Sequence, residues 1–375
     1  MLSEKIKVCL VSHGYPIYNK KYKDYYRIGG AEVQLFLLSK EFAKNDNFEV
    51  NLIIGNYKRK ASIEFFEKIK IFGLRSLSKK LINHFISMIK LFFTLKQINP
   101  DFVIKRAASM VTGVCALYCR IFKKKFIYSI ANETDVNGES EKNIFGKIYK
   151  FGLDNATYLV AQNFNQIIEL EKFKKRKFYN IKVIKSGYEI KKEEPITQKE
   201  IILWVARAIE WKRPEMFFML AKQFPNEKFI MICNEVNYKK DYYKTIVRKA
   251  SNLKNLTFIK FVPFHEIDDY FKQAKILINT SIYEGFPNTF IQAFRNGTPV
   301  ISLNVNPDNI FSKNKIGYFC NDDFEKMKAN LSLLLEKRDL YKTYSKNAYH
   351  FCRENHDIKK IGHQWIQLID TLSKL

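Results

Sequence analysis

Ser281-Ile-Tyr-Glu-Gly-Phe-Pro-Asn-Thr-Phe-Ile-Gln-Ala-Phe-Arg-Asn-Gly-Thr-Pro-Val-Ile-Ser302 links two apolar runs through a turn and a short amphipathic segment. The run just before it, Ile276 to Ile278, suits a buried strand, and Val300-Ile301 begins another. Between them the chain turns through Gly285 and Pro287 and restarts as a helix of about two turns, which Gly297 and Pro299 end. Asn288 or Thr289 is placed to cap that helix. Strand, tight loop and helix start, in that order, make a seat for an anion. Free backbone N–H groups point out of the helix start, and the dipole adds roughly half a positive charge there. One acid, Glu284, stands in the loop where it can receive hydroxyls rather than phosphate.

The same alternation extends in both directions. Upstream, Ile201 to Val205 reads as a strand, followed by Arg207 and, five residues on, Lys212, just before Arg213-Pro214 and a helix over Glu215 to Lys222. Two cations in the loop after a first strand suit a pyrophosphate, which needs charge and several donors; a solvated charge pair is the alternative. Phe229 to Cys233 and Leu256 to Phe261 are further strands, the latter running into Val262-Pro263-Phe264-His265. Downstream, Phe324 to Leu335, Leu340 to Arg353 and Ile358 to Leu372 read as helices.

The first half repeats the pattern. Strands are expected at Ile6 to Val11, Val50 to Ile54, Asp101 to Ile104, Phe126 to Ile130, Tyr158 to Val160 and Lys182 to Ile184. The loop Ser12-His13-Gly14-Tyr15-Pro16 follows the first of them. Gly29-Gly30-Ala31-Glu32 enters a helix, where glycine lets the backbone approach an anion closely. A full G-x-G-x-x-G pattern is missing, so no dinucleotide fingerprint is supported. The polar run Lys191 to Lys199 reads as a linker. Strand and helix alternating twice over define an α/β protein of two Rossmann-like, doubly wound domains facing a cleft, residues 1–190 and 200–357, with the last helix returning to the first.

Composition narrows the partners. The 375 residues carry 64 Lys or Arg against 38 Asp or Glu, a net charge of +26, which implies attraction to something polyanionic. From Lys68 to Gln97 there are seven Lys or Arg and no Asp or Glu. Within it Leu81, Ile82, Phe85, Ile86, Ile89, Phe92 and Phe93 fall on one helical face, and Lys79, Lys80, Asn83, Ser87, Lys90 and Thr94 on the other. Such a helix either lies on an anionic membrane or packs its apolar face on the sheet. Lys or Arg interrupts every long apolar run well before ~18 residues, so no span is expected. The polar start, Met1 to Lys7, running straight into a strand, argues against a signal peptide. Six scattered cysteines read as reduced thiols of a cytoplasmic protein.

The segment around Glu284 resembles the signature of retaining GT-B glycosyltransferases of family 4, the glycosyl transferases group 1. That signature has two glutamates separated by seven residues, with a Gly-Phe-Pro-Asn turn after the first. Glu284, Gly285, Phe286, Pro287 and Asn288 fit it, while the second acid is Gln292 here. The resemblance implies that Glu284 faces the donor sugar and Gln292 the ribose hydroxyls, which glutamine can still hydrogen-bond. Thr289 to Gln292 equally matches a capping box. The family's Gly-Arg-x-x-x-x-Lys pattern fits Arg207 and Lys212, with Ala206 replacing the glycine. Val262 lies where these enzymes seat the base; His265 beside it reads equally as a helix-start residue. A Gly-Gly-x-Glu resembling that at Gly30 faces the donor phosphates in the family. Many members carry a histidine near Ser129 to Asp135; this chain has none, leaving Asn132, Glu133 or Asp135.

The resemblance implies transfer of a sugar from a nucleotide-diphosphate donor, UDP- or GDP-linked, to a glycan acceptor, lipid-linked, in polysaccharide biosynthesis. No Asp-x-Asp appears in the sequence, so metal is not expected to bridge the diphosphate. Two rivals remain at this level: a nucleotide-sugar epimerase or hydrolase of the same fold, and a basic protein that binds nucleic acid or glycan without catalysis. No RRM, KH, zinc-finger or helix-turn-helix pattern favours specific nucleic-acid binding.

Overall fold

The computed structural model describes residues 5–12, 29–56, 61–75, 81–191, 199–236 and 238–374. The loop expected at Ser12 to Pro16 lies, beyond Ser12, outside these residues. So do residues 192–198 of the expected linker and the lysines at 79 and 80. The chain divides into two compact units, one made of residues 1–187 and 358–375 and the other of residues 188–357.

The first unit contains β1 (Ile6–Val11), α1 (Gly30–Ala43), β2 (Phe48–Asn56), β3 (Ser62–Phe66), β4 (Ile69–Arg75), α2 (Leu81–Ile98), β5 (Phe102–Arg106), α3 (Met110–Ile121), β6 (Lys125–Ser129), α4 (Ile144–Asp154), β7 (Tyr158–Ala161), α5 (Phe164–Lys174) and β8 (Ile181–Val183). Its strands form one sheet in the order β3-β4-β2-β1-β5-β6-β7-β8, parallel throughout except where β3 pairs antiparallel with β4. A parallel sheet needs crossover helices on both faces, so its central strands are apolar on both sides. β1 shows the division: Val8 and Leu10 enter the cluster holding Phe42 and Trp365, while Cys9 and Val11 enter the one holding Leu95, Tyr118 and Tyr149. Gly113 and Gly152 let α3 and α4 approach closely, since a Cβ on Gly152 would stand 2.5 Å from the carbonyl carbon of Thr112.

The second unit contains β9 (Ile201–Arg207), α6 (Pro214–Gln223), β10 (Lys228–Asn234), α7 (Lys240–Ser251), β11 (Leu256–Ile259), α8 (Ile267–Gln273), β12 (Ala274–Asn279), α9 (Asn288–Phe294), β13 (Val300–Ser302), α10 (Ile310–Asn314), β14 (Gly317–Phe319), α11 (Phe324–Glu336) and α12 (Arg338–Asn355). Six parallel strands run in the order β11-β10-β9-β12-β13-β14. The final helix, α13 (Ile358–Ser373), belongs to the first unit. There Ile361, Trp365 and Ile369 are buried in the same cluster as α1.

Three features differ from or go beyond the sequence reading. The hairpin β3–β4 was not anticipated from the sequence. Its turn places Glu67 at φ 53°, a left-handed position without the glycine or asparagine that usually marks one. In α2 the buried stripe is Leu91, Leu95 and Ile98, with Met88 and Phe92 partly buried against it. Phe85, Ile86, Ile89 and Phe93, read from the sequence as one face with Phe92, are exposed. The third concerns the start of α9. Pro287 occupies the cap position and no side chain caps it, so neither Asn288 nor Thr289 has that role and the Thr289–Gln292 box is not formed. A proline before a helix fixes φ and enters without a side-chain acceptor.

Candidate active site

In the second unit the chain runs outward from β9 to β10 and β11, then returns to the other side of β9 as β12. The reversal leaves a crevice at the carboxyl ends of β9 and β12, the place where open α/β sheets hold ligands. Lys212 follows β9 and Glu284 follows β12, so residues 72 positions apart in sequence meet there by topology.

The Nζ of Lys212 stands 2.9 Å from Oε1 of Glu284, with side chains 13% and 20% exposed. The same Oε1 accepts from Ser281 Oγ at 2.7 Å and from Asn279 Nδ2 at 3.1 Å. Burial pushes the Glu284 carboxyl up. The ammonium of Lys212 and the hydrogen bonds from Lys212, Ser281 and Asn279 outweigh it, so the group titrates below the usual glutamate range. Glu284 is therefore a fixed carboxylate at neutral pH, aimed by three donors.

Lys212 is held through its own backbone. Thr280 donates from Oγ1 to the Lys212 carbonyl at 2.5 Å and accepts from Trp204 Nε1 at 2.9 Å. Arg213, at φ 45° before the helix-starting Pro214, donates from Nε to the Thr280 carbonyl at 2.8 Å and pairs with Asp322 at 2.5 Å. Ile282 N–H donates to the Trp211 carbonyl at 2.8 Å, and the rings of Trp211 and Tyr283 stack at 5.9 Å. The two loops bearing Lys212 and Glu284 are thus bonded to each other along their length.

The remaining residues singled out in the sequence fall as follows. Arg207 ends β9 and is exposed, with no ion pair among the described residues. Gly285, Phe286 and Pro287 are buried, Phe286 packing on His356 at 4.5 Å, while Asn288 and Thr289 are half-buried. Gln292 is 6% exposed and its side chain makes no hydrogen bond among the described residues. Val262 is half-buried in the loop after β11, which ends at Ile259. His265 lies 3.1 Å from Glu266 and is outside the cluster.

Gly30 opens α1 in the first unit. There Asn132 and Asp135 form a reciprocal cap, and Asp135 is buried, accepting from Tyr128 at 3.0 Å and Ala131 N–H at 2.8 Å. Both are committed to holding that loop; Glu133 is exposed at the surface.

Sequence reasoning missed Asn279, Thr280 and Ser281. Their signal was present: three small polar residues in a row at a strand's carboxyl end, just ahead of Glu284. It also missed Lys105 and Arg106 at the end of β5, beside the reversal point of the first sheet. Arg106 donates to Ser129 at 3.0 Å and Ser186 at 2.9 Å, and burial pulls its guanidinium down to about 10.

Residues 187–351 match the family model described as glycosyl transferases group 1. An uncharacterized glycosyltransferase of Methanocaldococcus jannaschii is 25% identical over 384 residues, spanning 92% of this chain and 95% of the relative. A second from the same organism is 24% identical, spanning 81% and 88%. Among solved structures, sucrose-phosphate synthase of Thermosynechococcus elongatus superposes with a TM-score of 0.81 at 14% identity, covering 99% of this chain and 100% of that one. Anabaena HepE, crystallised with UDP and glucose, gives 0.73 at 14% identity with the same coverage. The fold is the GT-B fold of two Rossmann-like domains. Matched segment and relatives together support a glycosyltransferase.

Proposed function

We propose that the protein is a retaining, metal-independent glycosyltransferase. It moves a sugar from a nucleotide-diphosphate donor, UDP- or GDP-linked, to a lipid-linked glycan acceptor at the cytoplasmic face of an anionic membrane, in polysaccharide biosynthesis. The observation that supports this most is the Lys212–Glu284 pair at the reversal point of the second sheet. A nucleotide-sugar presents two needs side by side: charge for a departing diphosphate and a hydroxyl acceptor for the sugar. An ammonium and a carboxylate in contact supply both within one sugar's width.

Lys212 and Arg207 take the diphosphate, and Glu284 takes the sugar hydroxyls. Gln292 reaches the ribose, Val262 the base, and the turn Gly285 to Thr289 closes around the nucleotide. In the transfer step the bond from the anomeric carbon to the phosphate oxygen breaks with its electron pair going to the phosphate. The acceptor oxygen bonds to the same face of that carbon and passes its proton to the leaving phosphate. The absence of Asp-x-Asp and the two cations support charge neutralisation by side chains. A hydrolase or epimerase would need an added water-activating base or redox cofactor. The cluster around Glu284 is poorly suited to the first role, because a carboxyl that titrates below the usual glutamate range is a weak base for activating water.

Thermal unfolding with UDP, GDP, ADP and CMP at saturating concentration and fixed salt tests the reading. Binding at about 100 times the dissociation constant adds roughly 2.7 kcal/mol, a shift of several degrees with one diphosphate alone. Equal shifts with all four would mean phosphate adhering to a basic surface. Since the Gln292 side chain makes no hydrogen bond among the described residues, Gln292→Glu is expected to tighten binding of the preferred nucleotide through a charge-assisted bond to ribose. Unchanged affinity would remove the ribose role.

A further inference from the structure

Helix α2 is apolar on two sides. Leu91, Leu95 and Ile98 are at most 7% exposed and pack beneath the helix. Phe85, Ile86, Ile89 and Phe93 occupy a separate arc of about 100° at 3.6 residues per turn, and they are 37% to 60% exposed. A helix that is apolar nearly all round belongs in a core or in lipid. This one is in a core on one side only.

The neighbouring helix extends the surface. Leu117 and Ile121 of α3 are 43% and 55% exposed, and Phe92 bridges the two helices, edge-on to Tyr118 at 5.9 Å and against Phe122 at 6.0 Å. Large exposed apolar groups gathered on one surface mark a site of contact. Charge says with what. Across residues 81–98 and 110–125 every Lys, Arg, Asp or Glu is basic: Lys90, Lys96, Arg120, Lys123, Lys124 and Lys125. Asp101, between the helices, pairs with Lys124 at 3.2 Å and offsets only that one. Lys96 stands about one turn beyond Phe93, so cation and ring lie along the same stripe.

We propose that this face docks the protein on an anionic lipid bilayer. Phe85, Ile86, Ile89 and Phe93 enter the boundary between headgroups and acyl chains, while Lys90 and Lys96 meet the headgroups. The inference deepens the membrane contact of the proposed function and rests on that reading. A bilayer fits better than an acidic protein because the stripe is the outward surface of a helix. A continuous fluid can cover such a surface without complementary relief. No helix among the described residues is long and apolar enough to cross a membrane, so α2 lies on the surface.

Sedimentation of the full chain with vesicles tests this. The protein is expected to pellet with phosphatidylcholine vesicles containing phosphatidylglycerol and to stay in solution with phosphatidylcholine alone. The double variant Ile89→Ser, Phe93→Ser should lose at least about tenfold in partition while its nucleotide-induced thermal shift is unchanged. Lys90→Gln with Lys96→Gln should also weaken it. A double serine variant that pellets like the parent overturns the proposal, as does a parent chain indifferent to anionic lipid. A chain that shifts with nucleotide and ignores vesicles sinks the docking face alone. One that pellets through this face with no nucleotide shift leaves the docking face standing and sinks the glycosyltransferase reading.

Discussion

Lys212→Met is expected to lower kcat for sugar transfer by about 10²–10³-fold, the largest loss of any single change in the second unit. Methionine keeps most of the stem volume and removes the ammonium, so the deficit reads charge. The ammonium now 2.9 Å from Glu284 is the buried-side cation of the site, whereas Arg207 is exposed and is screened by solvent. Charge that develops on a leaving diphosphate is stabilised most by the donor with least water around it.

The same change acts on Glu284. Burial pushes its carboxyl up, and Lys212 is the largest influence pulling it down. With Lys212 gone, burial prevails and the carboxyl titrates at higher pH. The sign follows: a depressed folded-state pKa stabilises the fold above the unfolded value, and that stabilisation disappears as pH falls through the folded value. In the parent the acid limb of activity and stability lies below the ordinary glutamate range; in Lys212→Met it moves up. At neutral pH the variant should lose roughly 2 kcal/mol. That is less than the ~3–5 kcal/mol of a fully buried pair, because Ser281 and Asn279 still donate to the carboxylate. A pH–rate profile and a urea melt check both. An acid limb that stays where it was would separate Lys212 from Glu284 in function.

Much of this was legible in the sequence, and the reasons differ by element. Parallel strands such as β1 and β9 declare themselves because Val8 to Val11 and Ile201 to Trp204 are apolar runs buried on both faces. The hairpin β3–β4 does not, since its turn uses Glu67 at positive φ and its outer strand exposes Ile63 and Phe65. Glu284 and Lys212 stood out by their neighbours in sequence. Their mutual contact, and the service of Asn279, Thr280 and Ser281, depend on which strand lies beside which. That order is set by crossovers across the whole unit and is written in no local pattern. For α2, periodicity found an apolar helix and left open whether its apolar face meets the sheet or a membrane. When apolar residues occupy two arcs, spacing alone does not say which arc meets the sheet.

Glu284→Gln separates the two halves of the pair in the opposite direction. The amide keeps the shape and still accepts from Ser281 and Asn279, so the loop should hold. What is lost is charge: a sugar hydroxyl donates more strongly to a carboxylate than to an amide, and positive charge growing at the anomeric carbon is no longer met by a nearby anion. kcat is expected to fall about a hundredfold. Nucleotide affinity should not follow it down if, as proposed, Glu284 faces sugar rather than base or ribose. It should hold or rise, since the ammonium of Lys212 is then no longer shared with a carboxylate and is fully available to diphosphate. Lys212→Met must do the reverse, weakening both nucleotide binding and transfer. Calorimetric titration of the nucleoside diphosphate into the two variants, alongside single-turnover transfer rates, reads the contrast. If Glu284→Gln weakens diphosphate binding as much as Lys212→Met does, the carboxylate serves only to position the lysine. If the two changes together cost no more than the worse one alone, the pair acts as a single device on the same bond.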